Sequence, residues 1–538
     1  MPALARRSFP VFLAAAAAIA VVPSTAVGTP SSPRLRAGGG LASLPVFGGM
    51  SRVVLRAASP ITMRPSHPVA ATTMRPGPAA RSAAPASAAP VAATHVDAIP
   101  QWKTDSPADP TGAIGVTNIV TAVNTAVAVY ARDGSELLPP TDLASLIPGV
   151  QGQKFDPKIV YDQYTSTFVL TFLVRRAATR QSWIVVTTIP DATAADQTTW
   201  CGTKLHADTV PRNGRQWADY PAVGYDGDGI AIDTNAFTFG GPFAYAQIYS
   251  IANIDLFGTC DPTSPVAFTS ITGDGTRNPD GAKAFTIQPA QTQGGSNGDQ
   301  YFLSYGRSGA LVVWRLRATA AGLRLTNAAI PVKAEVIPPY GTQAGGSYRN
   351  PDTWWDPGDL RLVNAFYDAD LGRLYTAHAV AANLRPDTMT GRYIESAIRW
   401  YEVEPAGRLT RSTLTRTGTV GAPEVDSGWP AVATDASGDL FMTFSRASKP
   451  RQEYLSAWAA EIPPGVTKAQ LTLLTAGAAT MESRIRDDPV ERWGDFNAIN
   501  RDPVDGAFVA MVNQYAKGDG SSTVTDSWQQ TFDLVSDG

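Results

Sequence analysis

Aspartate recurs at five predicted strand starts along the 538-residue chain, with tryptophan at four of them and arginine at three. Aromatic faces stack on sugar rings, and carboxylates and guanidinium groups hydrogen-bond the hydroxyls, so this mixture predicts a glycan site. Two carboxylates in different environments would also supply the acid and the base that cleave a glycosidic bond. The candidate catalytic residues are Asp219, Asp359, Asp495 and His378, and the candidate ligand-binding residues are Arg215, Trp217, Trp355, Trp429, Arg492 and Trp493.

The same residues also have a structural explanation, which the sequence alone leaves open. An Asp at a repeated strand start can accept backbone N–H hydrogen bonds, and a Trp there can pack between neighbouring sheets. His378 is either the base of a lyase-type reaction or a buried histidine whose hydrogen bonds are satisfied. An enzyme needs two carboxylates, or a His/Tyr/Arg set, that face a common space.

A repeated strand–turn–strand pattern predicts the elements that position these residues. In five stretches, two apolar strands flank an Asp-led turn, and Asp favours such turns because it bonds the backbone two residues on. The spacings between the turns are 64, 142, 67 and 67 residues, and a Gly/Asn-rich turn near residue 297 fills the longest gap. The turn residues are Asp162, Asp226, Asp368, Asp435 and Asp502.

With a further hairpin from Ala113, the pattern gives seven units of four strands over residues 101–538. We therefore predict an all-β fold, a seven-bladed β-propeller, with six blades as the alternative count. In such a ring, the start of the first strand and the end of the second strand of each blade meet at one mouth of the channel. The candidate residues lie at that mouth, and the Asp turns lie at the opposite face, about 20–25 Å away.

Four segments resemble a group of secreted bacterial propellers that are loosely related to the sialidase-like, BNR-repeat superfamily. They are DPTGAIGVTNIVTAVN from Asp109, DYPAVGYDGDG from Asp219, AIRWYEVEP from Ala397 and ERWGDFNAINRDPVDGAFVAMVNQYA from Glu491. The resemblance covers about residues 101–538 and implies a propeller fold and export. True sialidases carry S-x-D-x-G-x-x-W boxes and an R-I-P motif, which this chain lacks, so the resemblance implies no sialidase activity and transfers no catalytic residue.

The first 100 residues differ from the rest in composition and charge. They contain nine Arg, no Lys and one Asp, whereas the remainder is acidic. Residues 1–26 are typical of a signal peptide for general or twin-arginine export, with an uncleaved anchor as the alternative. Residues 27–100 are rich in Ala and Pro, which predicts a disordered linker or a removed pro-segment. The protein is therefore expected outside the cytoplasm.

Cysteine and histidine are scarce. An exported chain with two Cys predicts a disulfide between Cys201 and Cys260, with two free buried thiols as the alternative. Four His and two Cys offer too few ligands for a zinc centre, so we expect no cofactor. A structural calcium ion at the Asp-rich loop 274–280 is the one open case. The acidic body argues against a nucleic-acid partner.

Two functional classes follow from these patterns. The first is an enzyme, either a glycoside hydrolase or a polysaccharide lyase, that acts on an extracellular or cell-envelope polysaccharide. The second is a non-catalytic propeller that binds glycan or protein at the cell surface. We expect a monomer with a polysaccharide or glycoconjugate partner and no membrane span after signal cleavage.

Overall fold

The computed structural model describes residues 54–57, 59–60, 89–102, 107–207, 216–256, 266–306, 309–320, 322–384, 394–482, 490–518, 524–525 and 527–538. These residues are nearly all-β, and the helices α1 (Leu143–Leu146) and α2 (Asn253–Leu256) have about one turn each. The signal peptide, Arg215 and Cys260 lie outside the described residues, so the disulfide stays a prediction. No helix in the described part of the chain is long and apolar enough to cross a bilayer.

Three strands precede the repeated part of the chain: β1 (Val54–Ala57), β2 (Ser59–Pro60) and β3 (Val91–Pro100). The following strands form antiparallel meanders of four, numbered M1, M2 and so on. M1 holds β4 (Thr111–Ile114), β5 (Asn118–Val123), β6 (Ala126–Ala131) and β7 (Glu136–Asp142). M2 holds β8 (Gln153–Asp162), β9 (Thr167–Arg176), β10 (Gln181–Pro190) and β11 (Cys201–His206). M3 holds β12 (Gln216–Tyr225), β13 (Gly229–Thr238), β14 (Phe243–Ala252) and β15 (Ala267–Thr272).

The second half of the chain continues the same arrangement. M4 holds β16 (Gln288–Gln293), β17 (Asp299–Gly306), β18 (Ala310–Thr319) and β19 (Gly322–Pro331). M5 holds β20 (Ala365–Asp368), β21 (Arg373–Ala382), β22 (Glu395–Glu404) and β23 (Thr413–Val420). M6 holds β24 (Asp426–Thr434), β25 (Leu440–Ser448), β26 (Glu453–Ile462) and β27 (Gln470–Thr475). A two-residue strand, β28 (Thr480–Met481), then precedes M7 and pairs with β31 (Val524–Thr525).

M7 draws its strands from both ends of the chain. It holds β29 (Ala498–Arg501), β30 (Val509–Ala516) and β32 (Trp528–Ser536), and its fourth strand is β3, which pairs with β32. In β3, Ala98 and Ile99 are buried. The prediction that the linker extends to residue 100 is therefore wrong, because residues 91–100 find a pairing partner more than 400 positions away. β1 and β2, within the same range, pair with β15 and β11.

The Asp-led turns are confirmed as hairpin turns that are closed by the Asp side chain itself. In each one, a carboxylate oxygen accepts a backbone N–H two to four residues further on, and the donor–acceptor distances are 2.8–3.1 Å. Such local bonds fix the turn without help from the rest of the fold. This is why the spacing of Asp162, Asp226, Asp368, Asp435 and Asp502 could be read from the sequence.

The first strands of the meanders contact one another in chain order, from β4 through β8, β12, β16, β20 and β24 to β29, and β29 contacts β4. Asn side chains hold some of these neighbours together. Asn364 exchanges two hydrogen bonds with the backbone of Val432 (2.9 and 3.0 Å), and Asn500 does the same with Ile114 (both 3.1 Å). The second pair joins M7 to M1.

The hydrophobic core is divided into layers between successive meanders. One buried cluster lies between M1 and M2, the next between M2 and M3, and the series continues along the chain. The last cluster includes residues of β3, M7 and M1. Strands buried on both faces explain the near-continuous apolar runs, such as residues 168–174 of β9.

We predict that β3 is required for a stable fold. A chain that begins at residue 101 should lose about 3 kcal/mol or more of unfolding free energy relative to a chain that begins at residue 89, because two buried side chains and a full strand ladder are lost. Thermal and urea unfolding of the two truncated chains measure the difference. Superimposable melts would contradict the pairing.

Candidate functional site

Several first strands begin with the same irregular backbone step. A non-glycine residue with positive φ precedes a proline, and the register to the second strand shifts at this point in M2, M3 and M6. Left-handed backbone is strained at such residues, and bulges of this kind re-aim side chains at sheet ends. The dipeptides, with φ of the first residue, are Asp109-Pro110 (48°), Asp156-Pro157 (50°), Tyr220-Pro221 (52°) and Trp429-Pro430 (52°).

These steps bring residues of four meanders into one closed hydrogen-bond circuit. Asp109 accepts from the Asp495 backbone N–H (2.7 Å) and from Asn124 Nδ2 (2.5 Å). Asn124 Oδ1 accepts from the backbone N–H of Asp156 (2.7 Å). Asp156 in turn accepts from the backbone N–H of Tyr220 (3.1 Å). Tyr220 completes the circuit because its hydroxyl donates to the Asp495 carbonyl oxygen (3.1 Å).

Three cations lie against this circuit, which we call the mouth circuit. Arg361 is paired with both carboxylate oxygens of Asp359 (2.8–3.0 Å), and its guanidinium lies 4.4 Å from the centre of the Tyr220 ring. Arg492 donates to the Asp495 carboxylate at 2.7 Å. Lys158 Nζ lies 3.3 Å from the centre of the Phe496 ring. The two Arg–Asp pairs are only partly buried, so they face both the circuit and solvent.

The carboxylates of this region have different protonation equilibria. Burial, with help from Asp495, raises the pKa of Asp109 to about 7, and burial raises the pKa of Asp156 well above its ordinary value. Burial also raises the pKa of Asp219 to about 6, against the opposing charge of Arg361. At Asp359 burial acts in the same direction, but the charge and hydrogen bonds of Arg361 outweigh it and lower the pKa. One arginine therefore faces two carboxylates whose pKa values move apart.

The structure brings four of the predicted site residues together. Asp219, Asp359, Asp495 and Arg492 act on one another or on Arg361, and all four side chains are partly exposed. Asp109 and Asp156 accept backbone N–H groups from distant segments, whereas the side chains of Asp219, Asp359 and Asp495 do not. Asp359 accepts only the nearby Arg361 backbone N–H, at 2.7 Å. Asp356, whose backbone carbonyl accepts from Trp429, is a further partly exposed carboxylate on which the charges of Asp495, Asp359 and Arg361 act.

Three of the predicted sugar-stacking tryptophans are instead part of the core, which corrects their assignment. Trp355, Trp429 and Trp493 are 0–4% exposed. Trp429 Nε1 donates to the Asp356 carbonyl oxygen, and Trp493 Nε1 donates to Ser445 Oγ (2.8 and 2.9 Å). Each ring fills space between neighbouring meanders, as the structural explanation requires, so none is available to stack on a ligand.

His378 is also withdrawn from the surface. Its side chain has no exposed area, its Nδ1 lies 2.9 Å from the Leu360 carbonyl oxygen, and its Nε2 lies 3.1 Å from the Tyr401 hydroxyl. Burial lowers the pKa of His378 to about 4, so the ring is neutral at physiological pH. Both nitrogens are engaged, and the ring offers no free base to a substrate.

A row of partly exposed aromatic rings leads from Trp217 to the Arg361–Asp359 pair. Successive ring centres lie 5.0–5.7 Å apart, and the last ring lies 5.5 Å from the Arg361 guanidinium. Arg175 covers the first ring at 4.1 Å. The row consists of Trp217, Phe237, Phe243 and Phe285. Of the predicted stacking tryptophans, Trp217 is the one that is partly exposed, and Arg175 and Phe237 already lie against its ring.

Sequence reasoning missed several residues that build this region, namely Asn124, Lys158, Phe285, Arg361 and the structural role of Asp109. A signal for part of the set was present, because an X-Pro dipeptide recurs at the strand starts of M1, M2, M3 and M6. No sequence signal marked Arg361. It lies in the loop before β20 of M5, and its contact with Tyr220 of M3 exists only in the folded chain.

No three His, Cys, Asp or Glu side chains of the described residues are placed to hold a metal ion. In the Asp-rich loop 274–280, Asp274 pairs with Arg277 Nε (2.6 Å), and Asp280 accepts the Ala282 backbone N–H (2.9 Å).

Comparison with known proteins identifies no family. No protein-family model and no curated protein matches the chain. Among solved structures, the alpha-L-arabinanase of Penicillium chrysogenum with arabinobiose has 10% identity and a TM-score of 0.34, over 84% of this chain and 98% of that chain. The GH93 alpha-L-arabinofuranosidase of Fusarium graminearum with arabinobiose has 7% identity and a TM-score of 0.36, with the same coverage. Trypanosoma rangeli sialidase with sialic acid has 11% identity and a TM-score of 0.36, over 77% and 57%. Similarity at this level carries no inference about activity.

We predict that Asp109 is primarily structural. Asp109→Asn should lower the unfolding free energy by about 1–3 kcal/mol, because an amide NH₂ would face either the Asp495 N–H or Asn124 Nδ2 and leave a buried donor unpaired. Urea unfolding at about pH 8 measures the loss. Asp274→Asn, at an exposed ion pair, is the matched control and should leave the midpoint unchanged. Equal midpoints for the two variants would contradict the role of the circuit.

Proposed function

We propose that residues 91–538 form one closed seven-bladed β-propeller of the sialidase-like kind, exported from the cell and facing extracellular or cell-envelope polysaccharide. The meanders M1 to M7 would be the blades, and β3 would close the ring by completing the last one. The contact of β29 with β4 and the exchange of hydrogen bonds between Asn500 and Ile114 support closure. The small axial space lined by first-strand residues of M1 to M5 and M7 supports a shared channel.

We further propose that the mouth binds a glycan and hydrolyses a glycosidic bond with Asp219 and Asp359. The observation that carries this proposal is that Arg361, at the end of a row of aromatic rings, is paired with the partly exposed Asp359, while its charge also acts on the partly exposed Asp219. Sugar rings stack on aromatic faces, and a sugar stacked at the Phe285 end of the row would bring its glycosidic bond toward these carboxylates.

The two carboxylates would have different roles. Asp219, whose pKa burial raises to about 6, would be the general acid that protonates the leaving oxygen. Asp359, held ionised by Arg361, would act on the opposite side as nucleophile or as general base. Asp495, paired with Arg492, adds a carboxylate that can hydrogen-bond sugar hydroxyls.

Hydrolysis is favoured over lyase chemistry because neither His378 nor Tyr220, the two side chains that could act as a lyase base, is free to accept a proton. A lyase needs a group that removes a proton from carbon, and His378 is buried with both nitrogens engaged. The Tyr220 hydroxyl donates to the Asp495 carbonyl oxygen, and burial raises its pKa well above the ordinary value. Neither residue is suited to accept a proton from a substrate.

Replacement of either carboxylate should abolish hydrolysis. On a panel of soluble cell-wall polysaccharides, Asp219→Asn and Asp359→Asn should each reduce the release of reducing sugar by about 10²–10⁴-fold. For the unaltered protein, activity should fall as the pH rises through about 6, because Asp219 must be protonated, and should persist below pH 5, because Asp359 stays ionised.

The matched control for these variants is Asp299→Asn. Asp299 is likewise held by an arginine, Arg317, through both carboxylate oxygens, but it lies on β17 away from the mouth circuit. Its loss should leave the rate of a folded variant unchanged. If the unaltered protein retains a glycan but releases no sugar from it, hydrolysis is rejected and the binding-only function is favoured.

The aromatic row should determine glycan affinity. Trp217→Ala should weaken retention on a polysaccharide gel by about tenfold, because the row loses the ring against which Phe237 stacks. Trp458→Ala is a matched control: this partly exposed Trp on β26 is also covered by an arginine, with Arg446 at 3.9 Å. Equal retention of the two variants would show that the row does not bind the glycan.

A further inference from the structure

Strand β3, which completes M7, is held by a short and irregular ladder. Among the described strands it pairs with β32 alone, and its other edge has no strand partner there. The register shifts between Ala92 and Thr94 and again between Asp97 and Pro100. Residues 94–97 lie between these shifts, and within them His95 is paired directly with Asp533 of β32. A side-chain interaction at this position therefore acts on the part of the ladder that keeps β3 in register.

The His95 ring lies between two carboxylates. Its Nδ1 lies 2.8 Å from Oδ1 of Asp533, which is buried, and its Nε2 lies 3.5 Å from Oδ1 of Asp97, which is exposed. The Tyr515 hydroxyl of β30 donates to Asp97 at 3.3 Å. Because each ring nitrogen faces a carboxylate oxygen, both can donate only when the ring is the doubly protonated imidazolium. The arrangement therefore matches the charged form of His95.

We propose that His95 is a pH-sensitive latch that holds β3 to β32 in its imidazolium form and loosens the strand when it loses its proton. A neutral imidazole keeps one N–H, so one carboxylate would face a bare nitrogen, and the attraction between the cation and the buried Asp533 would be lost. β3 supplies the fourth strand of M7, so the latch controls whether this meander is complete. The proposal rests on the pairing of β3 with β32 and is independent of the proposed hydrolysis.

The direction of the pH effect follows from the groups that face His95. The hydrogen bond to Asp533, with the charges of Asp533 and Asp97, raises the pKa of His95 above its ordinary 6.5, and burial opposes this. The stabilising contribution of His95 is therefore complete below about pH 6.5 and is lost as the pH rises through the higher pKa of the folded state. Burial also raises the pKa of Asp533, so its own ionisation disfavours docking in the same direction. Burial raises the pKa of Tyr515 to about 12, so this hydroxyl stays neutral over the same range.

Hydrogen exchange on the full chain tests the latch. Protection factors of the peptides that cover residues 91–100 are measured by mass spectrometry at pH 6 and pH 9, with correction for the intrinsic pH dependence of exchange. In the unaltered protein this protection should fall by at least about threefold between pH 6 and pH 9, because the ionic hold on the strand is lost. β25, an inner strand of M6, is the internal reference and should keep its protection.

Variants at position 95 separate the histidine from Asp533. His95→Gln should have at pH 6 the lower protection that the unaltered protein has at pH 9. His95→Arg should stay protected at both pH values, because a guanidinium can donate to both carboxylates and does not titrate in this range. His206→Gln changes an exposed histidine on β11 and, as the control, should keep the full pH dependence.

Three results would each overturn the proposal. The first is equal protection of residues 91–100 at pH 6 and pH 9 in the unaltered protein. The second is a His95→Gln variant that is as well protected at pH 6 as the unaltered protein. The third is a fall in His95→Arg as large as in the unaltered protein, since Asp533 alone would then account for the pH dependence.

Discussion

The closed hydrogen-bond circuit from Asp495 through Asp109, Asn124, Asp156 and Tyr220 is the constraint on which the mouth depends. Every link uses a backbone N–H, a backbone carbonyl or a buried side chain, and the links join M7, M1, M2 and M3. Because buried polar groups without partners are costly, the circuit can form only as a whole. It therefore fixes the relative positions of first strands that are far apart in the chain. Among them are β29 of M7 and β4 of M1, which the hydrogen bond between Asp495 and Asp109 connects.

The circuit also separates the carboxylates into two groups. Asp109 and Asp156 are buried, accept hydrogen bonds within the circuit, and have raised pKa values, so they hold the strand starts in place. The side chains of Asp219, Asp359 and Asp495 take no part in it, are partly exposed, and interact with Arg361 or Arg492. Of the two explanations that the sequence left open, structural use thus holds for Asp109 and Asp156, whereas Asp219, Asp359 and Asp495 are the carboxylates on which the proposed chemistry depends.

The features that sequence predicted correctly are those fixed locally. The Asp-led turns and the strands around them follow from hydrogen bonds within four residues and from apolar runs. The features it missed depend on distant partners. Residues 91–100 become a strand only because β32 is available, and Trp355, Trp429 and Trp493 are buried because adjacent meanders close over them. Composition could not distinguish a Trp that stacks on a ligand from one that fills space between sheets.

The positions that precede proline at the strand starts show how a repeat can carry an asymmetric site. The backbone step is the same in four meanders, yet the residue that takes it is Asp in M1 and M2, Tyr in M3 and Trp in M6. In M6 the indole of Trp429 is buried and donates to the Asp356 carbonyl oxygen. In M3 the smaller Tyr220 leaves its ring face to Arg361, beside Asp219 and the aromatic row. The same strained step therefore presents a different side chain in different meanders, and in M3 it places a phenol ring against Arg361.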